Sequence, residues 1–190
     1  WVLQTACAQV HAWNRVGERP LKMAINLSAL QLNDKNLIGN VQSALKESGL
    51  APQYLELELT ETAALQNIEH TIEILQTLRQ MGVSIAIDDF GKGYSSLDYI
   101  KNLPSNILKI DRSFIKDVSE SDSAIVLAMV TLGHQLHLKV IAEGVETENQ
   151  LRLLAKMNCD QIQGYYTGKP APAQDIAAML DANQKISSSE

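Results

Sequence analysis

Six short apolar segments, each ending in an oxygen-bearing or charged side chain, recur along this chain and constrain its fold more than any other feature. The terminal residues are Asn26, Glu58, the pair Asp88 and Asp89, Lys109, Glu143 and Gln163, spaced by about 20 to 35 residues, the length of one βα unit. The segments read as strands over Leu21–Leu27, Tyr54–Thr60, Val83–Ile87, Asn106–Asp111, Leu138–Ala142 and Asp160–Tyr165. Helical periodicity fills the intervals: Trp1–Val16, Asn36–Ser48 stopped by Gly49, Asn67–Met81 stopped by Gly82, Leu97–Leu103 ended by Pro104, and Ser121–His137. Thr147 with Gln150 three residues on has capping-box spacing and opens a helix to Met157, and a last helix is expected over Gln174–Ala182.

Alternating strands and helices build a parallel sheet. Polar groups at the carboxyl ends of successive strands converge only if that sheet curls into a barrel. An open doubly wound sheet gathers them chiefly at one switch point. The expected fold is therefore α/β, a TIM-type (β/α)8 barrel with about six of the eight strands present, since a full barrel takes about 250 residues. One domain is expected over residues 1–183, lacking the first two strands, with residues 184–190 a flexible tail.

Taken singly, each polar strand end has an ordinary structural explanation: Asn26 capping a turn, Glu58 satisfied by a neighbour, Lys109 reaching solvent, Glu143 and Glu146 favouring a helix N-terminus, Gln163 bonding backbone. A fold has no structural reason to repeat such groups at the same end of every strand. Adjacent Asp88 and Asp89 repel each other and call for positive charge, and oxygen ligands without His or Cys point to a hard cation, Mg²⁺ or Mn²⁺. The surplus of carboxylates suggests two ions, the arrangement that serves attack of water on a phosphodiester. A lysine beside such ions would have its pKa drawn down, freeing it to position or deprotonate that water. The four histidines fall on the expected helices rather than at strand ends. Gly91-Lys92-Gly93-Tyr94-Ser95-Ser96 superficially matches a dinucleotide fingerprint, but Ser96 replaces the last glycine and the acids stand ahead of it.

Asn26-Leu27-Ser28, Glu58-Leu59-Thr60-Glu61, Asp88-Asp89-Phe90-Gly91 with Gly93-Tyr94-Ser95-Ser96-Leu97, Leu108-Lys109-Ile110-Asp111, Ala142-Glu143-Gly144-Val145-Glu146-Thr147 and Gln163-Gly164-Tyr165 occur in this order. In these motifs the chain resembles the EAL-domain family of cyclic-di-GMP phosphodiesterases over essentially its whole length. The resemblance implies a barrel that linearises cyclic di-GMP to 5′-pGpG with Mg²⁺ or Mn²⁺, inhibited by Ca²⁺. It implies Asn26, Glu58 and Asp88 as ligands of one metal, and Asp89 with Asp88 at a second, Glu143 being a further metal candidate. By the same resemblance Lys109 is the water-activating base, Glu143 and Gln163 complete the site, and Glu61 anchors the loop of Phe90, Gly91 and Gly93. Asp111 would support the lysine and Glu146 would lie near the substrate. Homodimerisation through the glycine loop and attached sensor or GGDEF domains are implied as well. Two departures stand out: Lys92 occupies a position usually held by threonine or a small residue, and the Glu-Ala-Leu signature strand would precede Trp1, so the chain is expected to be a piece of a larger barrel.

Net charge of −6, with no run of Lys or Arg, argues against a nucleic-acid polymer as partner. Cys7 and Cys159 form no metal-binding or disulfide pattern, and a cytoplasmic setting is expected, with membrane tethering of a longer parent left open. The alternative to an enzyme is a catalytically impaired EAL domain that binds cyclic di-GMP or docks proteins. Such a module would be expected to lack the carboxylates or the lysine, which are present here.

Overall fold

Strands Met23–Asn26 (β1), Leu55–Thr60 (β2), Ser84–Phe90 (β3), Ile107–Ile110 (β4), Lys139–Glu143 (β5) and Gln161–Gln163 (β6) pair in chain order, every pair parallel. Sequential order with same-handed crossovers keeps the helices on one face and lets the other curl inward. The result is a curled half-barrel of the TIM type, not a doubly wound sheet. The structure, a computed structural model, describes residues 1–16, 20–92, 97–119 and 123–187.

The helices are Val2–Val16 (α1), Ala29–Leu32 (α2), Leu37–Ser48 (α3), Glu61–Leu65 (α4), Ile68–Gln80 (α5), Leu97–Asn102 (α6), Arg112–Ile115 (α7), Ala124–Gln135 (α8), Glu148–Lys156 (α9) and Ala173–Ser187 (α10). Side-chain alternation divides each strand between two environments. Ile25, Leu57, Leu59, Ile85, Ile87 and Leu108 face the helices and join their apolar stripes in the main core. The opposite, inner face carries a small separate cluster, Ala86, Ile107 and Ile141. Above and beside that apolar floor stand the polar strand ends.

Several boundaries depart from expectation for identifiable reasons. β1 begins two residues late because Leu21 is clasped to α1 by both polar ends of Asn14. β3 continues past Ile87 through both acids to Phe90, which pairs with Ile110 and is buried in the core, so Phe90 is a strand residue and not part of a loop. β6 stops at Gln163, and α10 runs to Ser187, so residues 184–187 are helical rather than tail. Of the helix expected from Ser121, the start lies outside the described residues, and it closes at Gln135 ahead of His137, whose φ is +59°. Among the described residues no helix is long and apolar enough to cross a membrane.

The one-turn helices follow strands directly, each capped by a side chain at the strand end: Ser28 for α2, Thr60 for α4 and Asp111 for α7. Thr147 and Gln150 form the expected capping box of α9. Gln150 does more than close that box. Its Oε1 accepts the N–H groups of Glu146 and Thr147, and its Nε2 donates to the carbonyls of Ile115 and Lys116, tying the β5 loop to α7. Replacing Gln150 with leucine is expected to destabilise the fold by about 1–3 kcal/mol, the cost of leaving buried partners unsatisfied. Urea denaturation measures it, and an unchanged midpoint would mean that water takes over those bonds.

Candidate active site

Adjacent residues of a regular strand point to opposite faces, so Asp88 and Asp89 should not share a site. A bulge resolves this. The β3–β4 register shifts between Ile87 and Phe90, and Asp89 takes φ +56°, a left-handed conformation that aspartate tolerates better than most residues. The Asp89 N–H donates to Asp88 Oδ1 at 2.9 Å, fixing the first carboxylate. The extra residue restores Phe90 to the core side and leaves both acids with Glu143, one carboxylate oxygen from each of the three lying within 4.8 Å of the others. Such a set can hold a metal ion.

Lys109 stands at the centre. Its side chain is 2% exposed, and its Nζ lies 2.6 Å from Glu143 Oε1, 2.7 Å from Glu58 Oε1 and 3.5 Å from Asp88 Oδ1. Burial disfavours the ammonium, but the hydrogen bonds and charges of Glu143 and Glu58 outweigh it, and the pKa rises above the ordinary lysine value. One ammonium divided among three carboxylates does not neutralise them. Burial, helped by Asp88 and Glu58, accordingly pushes the Glu143 carboxyl up despite the Lys109 contact. The site carries an excess of negative charge.

Asn26 lies on β1 in register with Glu58, and Gln163 on β6 in register with Glu143, so both sit at the same level of the barrel as the cluster. Gln163 also lines a cavity of about 410 Å³ with Ile141, Gln161, Ile162 and Thr167. The glycine loop is held from α4: the Gly91 N–H donates to Glu61 Oε2 at 3.0 Å, and Glu61 is itself buried. Gly91 has φ +100°, and a Cβ there would come within 2.7 Å of both Phe114 and Met129. Gly93 lies outside the described residues. Asp111, expected to support Lys109, is instead bonded to Ser113 and to Lys92. Burial works to raise its pKa, yet Lys92 and the Ser113 donors prevail and hold the carboxyl below the usual range. Glu146 is exposed in the loop after β5, and its backbone N–H is bonded to Gln150.

A family model described as the EAL domain matches residues 1–170. The chain belongs to the EAL domain family. Cyclic di-GMP phosphodiesterase NbdA of Pseudomonas aeruginosa is 45% identical to this EAL domain over 184 residues, 96% of this chain and 24% of that protein. The chain spans about a quarter of the length of the curated relatives it matches first. A solved structure of PaMucR phosphodiesterase in complex with c-di-GMP is similar with a TM-score of 0.88 at 46% identity, covering 93% of this chain and 72% of that one. Klebsiella pneumoniae BlrP1, solved as a manganese and cyclic di-GMP complex, has a TM-score of 0.77 at 29% identity, covering 87% of this chain and 42% of that one.

Two residues of this EAL domain have a place near the site that motif reading does not assign. Glu56 is buried on the inner face two positions before Glu58, where burial and Glu58 raise its pKa against the pull of Lys22, Lys109 and Lys139. The strict alternation Leu55-Glu56-Leu57-Glu58-Leu59 is the signal that would have found it. Lys92 bridges the glycine loop to α7, a contact for which the sequence holds no signal.

Proposed function

We propose that this domain is a metal-dependent phosphodiesterase that hydrolyses cyclic di-GMP to 5′-pGpG. The observation that carries the reading is the charge imbalance at the strand ends, where Lys109 is shared by Glu58, Asp88 and Glu143 with Asp89 alongside. Hard oxygen donors in excess suit Mg²⁺ or Mn²⁺. Asn26, Glu58 and Asp88 would hold one ion, and Asp88, Asp89 and Glu143 a second. Bound there, the ions supply positive charge to a phosphate and acidify coordinated water.

The chain's own residues do the rest. Lys109 Nζ, held as an ammonium by Glu58 and Glu143, orients a water by donating to its oxygen, and the Glu143 carboxylate takes one proton from that water as the oxygen adds to phosphorus. The P–O3′ bond then breaks, O3′ takes up the proton from Glu143, and the ring opens to a linear dinucleotide with a 5′-phosphate. Gln163 and Glu146 flank the substrate, and Glu61 keeps the glycine loop over the acids through Gly91. The names and bound ligands of the relatives support cyclic di-GMP as the substrate. A cytoplasmic setting, sensor or GGDEF domains elsewhere in the protein, and a homodimer through the glycine loop belong to the same reading.

The full-length protein carrying this domain is expected to convert cyclic di-GMP to 5′-pGpG with Mg²⁺ or Mn²⁺, to lose turnover in EDTA, and to be suppressed by Ca²⁺. Product chromatography reads all three. Binding of cyclic di-GMP without turnover in either metal would make the domain a binding or docking module instead.

A further inference from the structure

The glycine loop is braced by a cation of its own. Lys92 follows Gly91, and its backbone N–H donates to the Asp89 carbonyl at 3.3 Å, so the chain turns back on the acids. Its Nζ then lies 2.8 Å from Asp89 Oδ1 and 2.9 Å from Asp111 Oδ2. These two carboxylates are unlike. The Asp111 side chain is 2% exposed, and its other oxygen already accepts the N–H and hydroxyl of Ser113, so Lys92 is its charge partner. Asp89 is 37% exposed and belongs to the carboxylate set with Asp88 and Glu143.

From this geometry we infer that Lys92 is an internal competitor for the cation at Asp89: it occupies one ligand oxygen of the second metal position, must leave it when that metal binds, and thereby sets the metal affinity of this domain. The inference rests on the metal-dependent reading above. Asp111 keeps hold of the ammonium during the exchange, because a buried carboxylate left unpaired is costly. The Asp89 contact is the one that yields, since an ion pair this exposed is weak and screened by water. Displacement therefore costs a modest amount, and the retained positive charge on Asp111 goes on opposing a dication nearby.

The test is Mn²⁺ titration of the full-length protein, with free Mn²⁺ counted by electron paramagnetic resonance, for the wild type and for Lys92→Met, Lys92→Gln and Lys92→Arg. With Lys92 opposing the ion at Asp89, that position is the weaker of the two, and the two neutral variants are expected to bind its Mn²⁺ about threefold to tenfold more tightly, from the worth of an exposed ion pair plus the relieved repulsion. The tighter site should not move, and Lys92→Arg should stay close to wild type. Lys92 is half exposed, so these variants leave the core intact. Unchanged weaker-site affinity in both neutral variants overturns the competitor role, and weakened affinity overturns it in favour of a brace that shapes the site. Absence of Mn²⁺ binding in every protein overturns the metal reading beneath it, a result distinct from two steps of unaltered affinity.

Discussion

Replacing Lys109 with methionine is expected to lower kcat on cyclic di-GMP by about 10²- to 10⁴-fold, the usual worth of a positioned acid–base group, with KM changed little. Methionine is the informative substitute because it fills most of the buried volume without the charge. In the wild type Lys109 separates Glu58 and Glu143 and reaches toward Asp88. Without it three carboxylates face one another in a partly desolvated site, and breaking a buried ion pair of this kind costs about 3–5 kcal/mol. The metal-free variant should therefore melt well below wild type. Mn²⁺ supplies the missing positive charge and should raise its melting midpoint more than that of wild type. A residue of purely structural value would give a variant whose stability and turnover both recover on loading with metal. The expected variant recovers stability and stays inactive. Turnover close to wild type would remove Lys109 from the mechanism.

The sequence reveals the polar strand ends because a barrel interior is the one place where a parallel strand must switch from apolar to polar at a fixed end, and that switch is a pattern in one dimension. Asn26, Glu58, Asp88, Lys109, Glu143 and Gln163 are legible for that reason, as is the order of the strands. The bulge is not legible. Its cause is a local conformation of Asp89, which a chain of residue types does not display, and its consequence is a change of parity that sends Phe90 to the core rather than to the loop. The one-turn helices α2, α4 and α7 are too short to show a 3.6-residue period, so their caps, Thr60 and Asp111, read as chemistry or as nothing. Asp111 illustrates the difficulty: the family resemblance implied that it supports Lys109, whereas it lies just past the end of β4, caps α7 and is bonded to Ser113 and Lys92. Long-range pairs such as Glu61 with Gly91 and Gln150 with Ile115 depend on how elements pack, which motif spacing does not encode.

Substituting Gly164 with alanine is expected to destabilise the domain by about 3 kcal/mol, the upper range for forcing an extra carbon into a packed site. A Cβ at this position would fall 2.2 Å from the Val145 carbonyl oxygen and 2.4 Å from the Val145 nitrogen. Both are backbone atoms, so no change of rotamer relieves the clash. The same backbone atoms are already engaged: the Val145 N–H donates to the Gln163 carbonyl at 3.1 Å, and the Val145 carbonyl accepts from the Tyr166 N–H at 3.0 Å. Either β6, which carries Gln163, or the segment that follows directly on Glu143 at the end of β5 has to move. At this chain length each kcal/mol is worth about 2–4 °C, so the melting midpoint should fall by about 6–12 °C. Turnover should fall with it even below that midpoint, because Glu143 is displaced from Lys109 while the fold persists. A midpoint unchanged within about 2 °C would mean that β6 shifts freely. Gln163, whose strand is short, would then not be rigidly tied to the site.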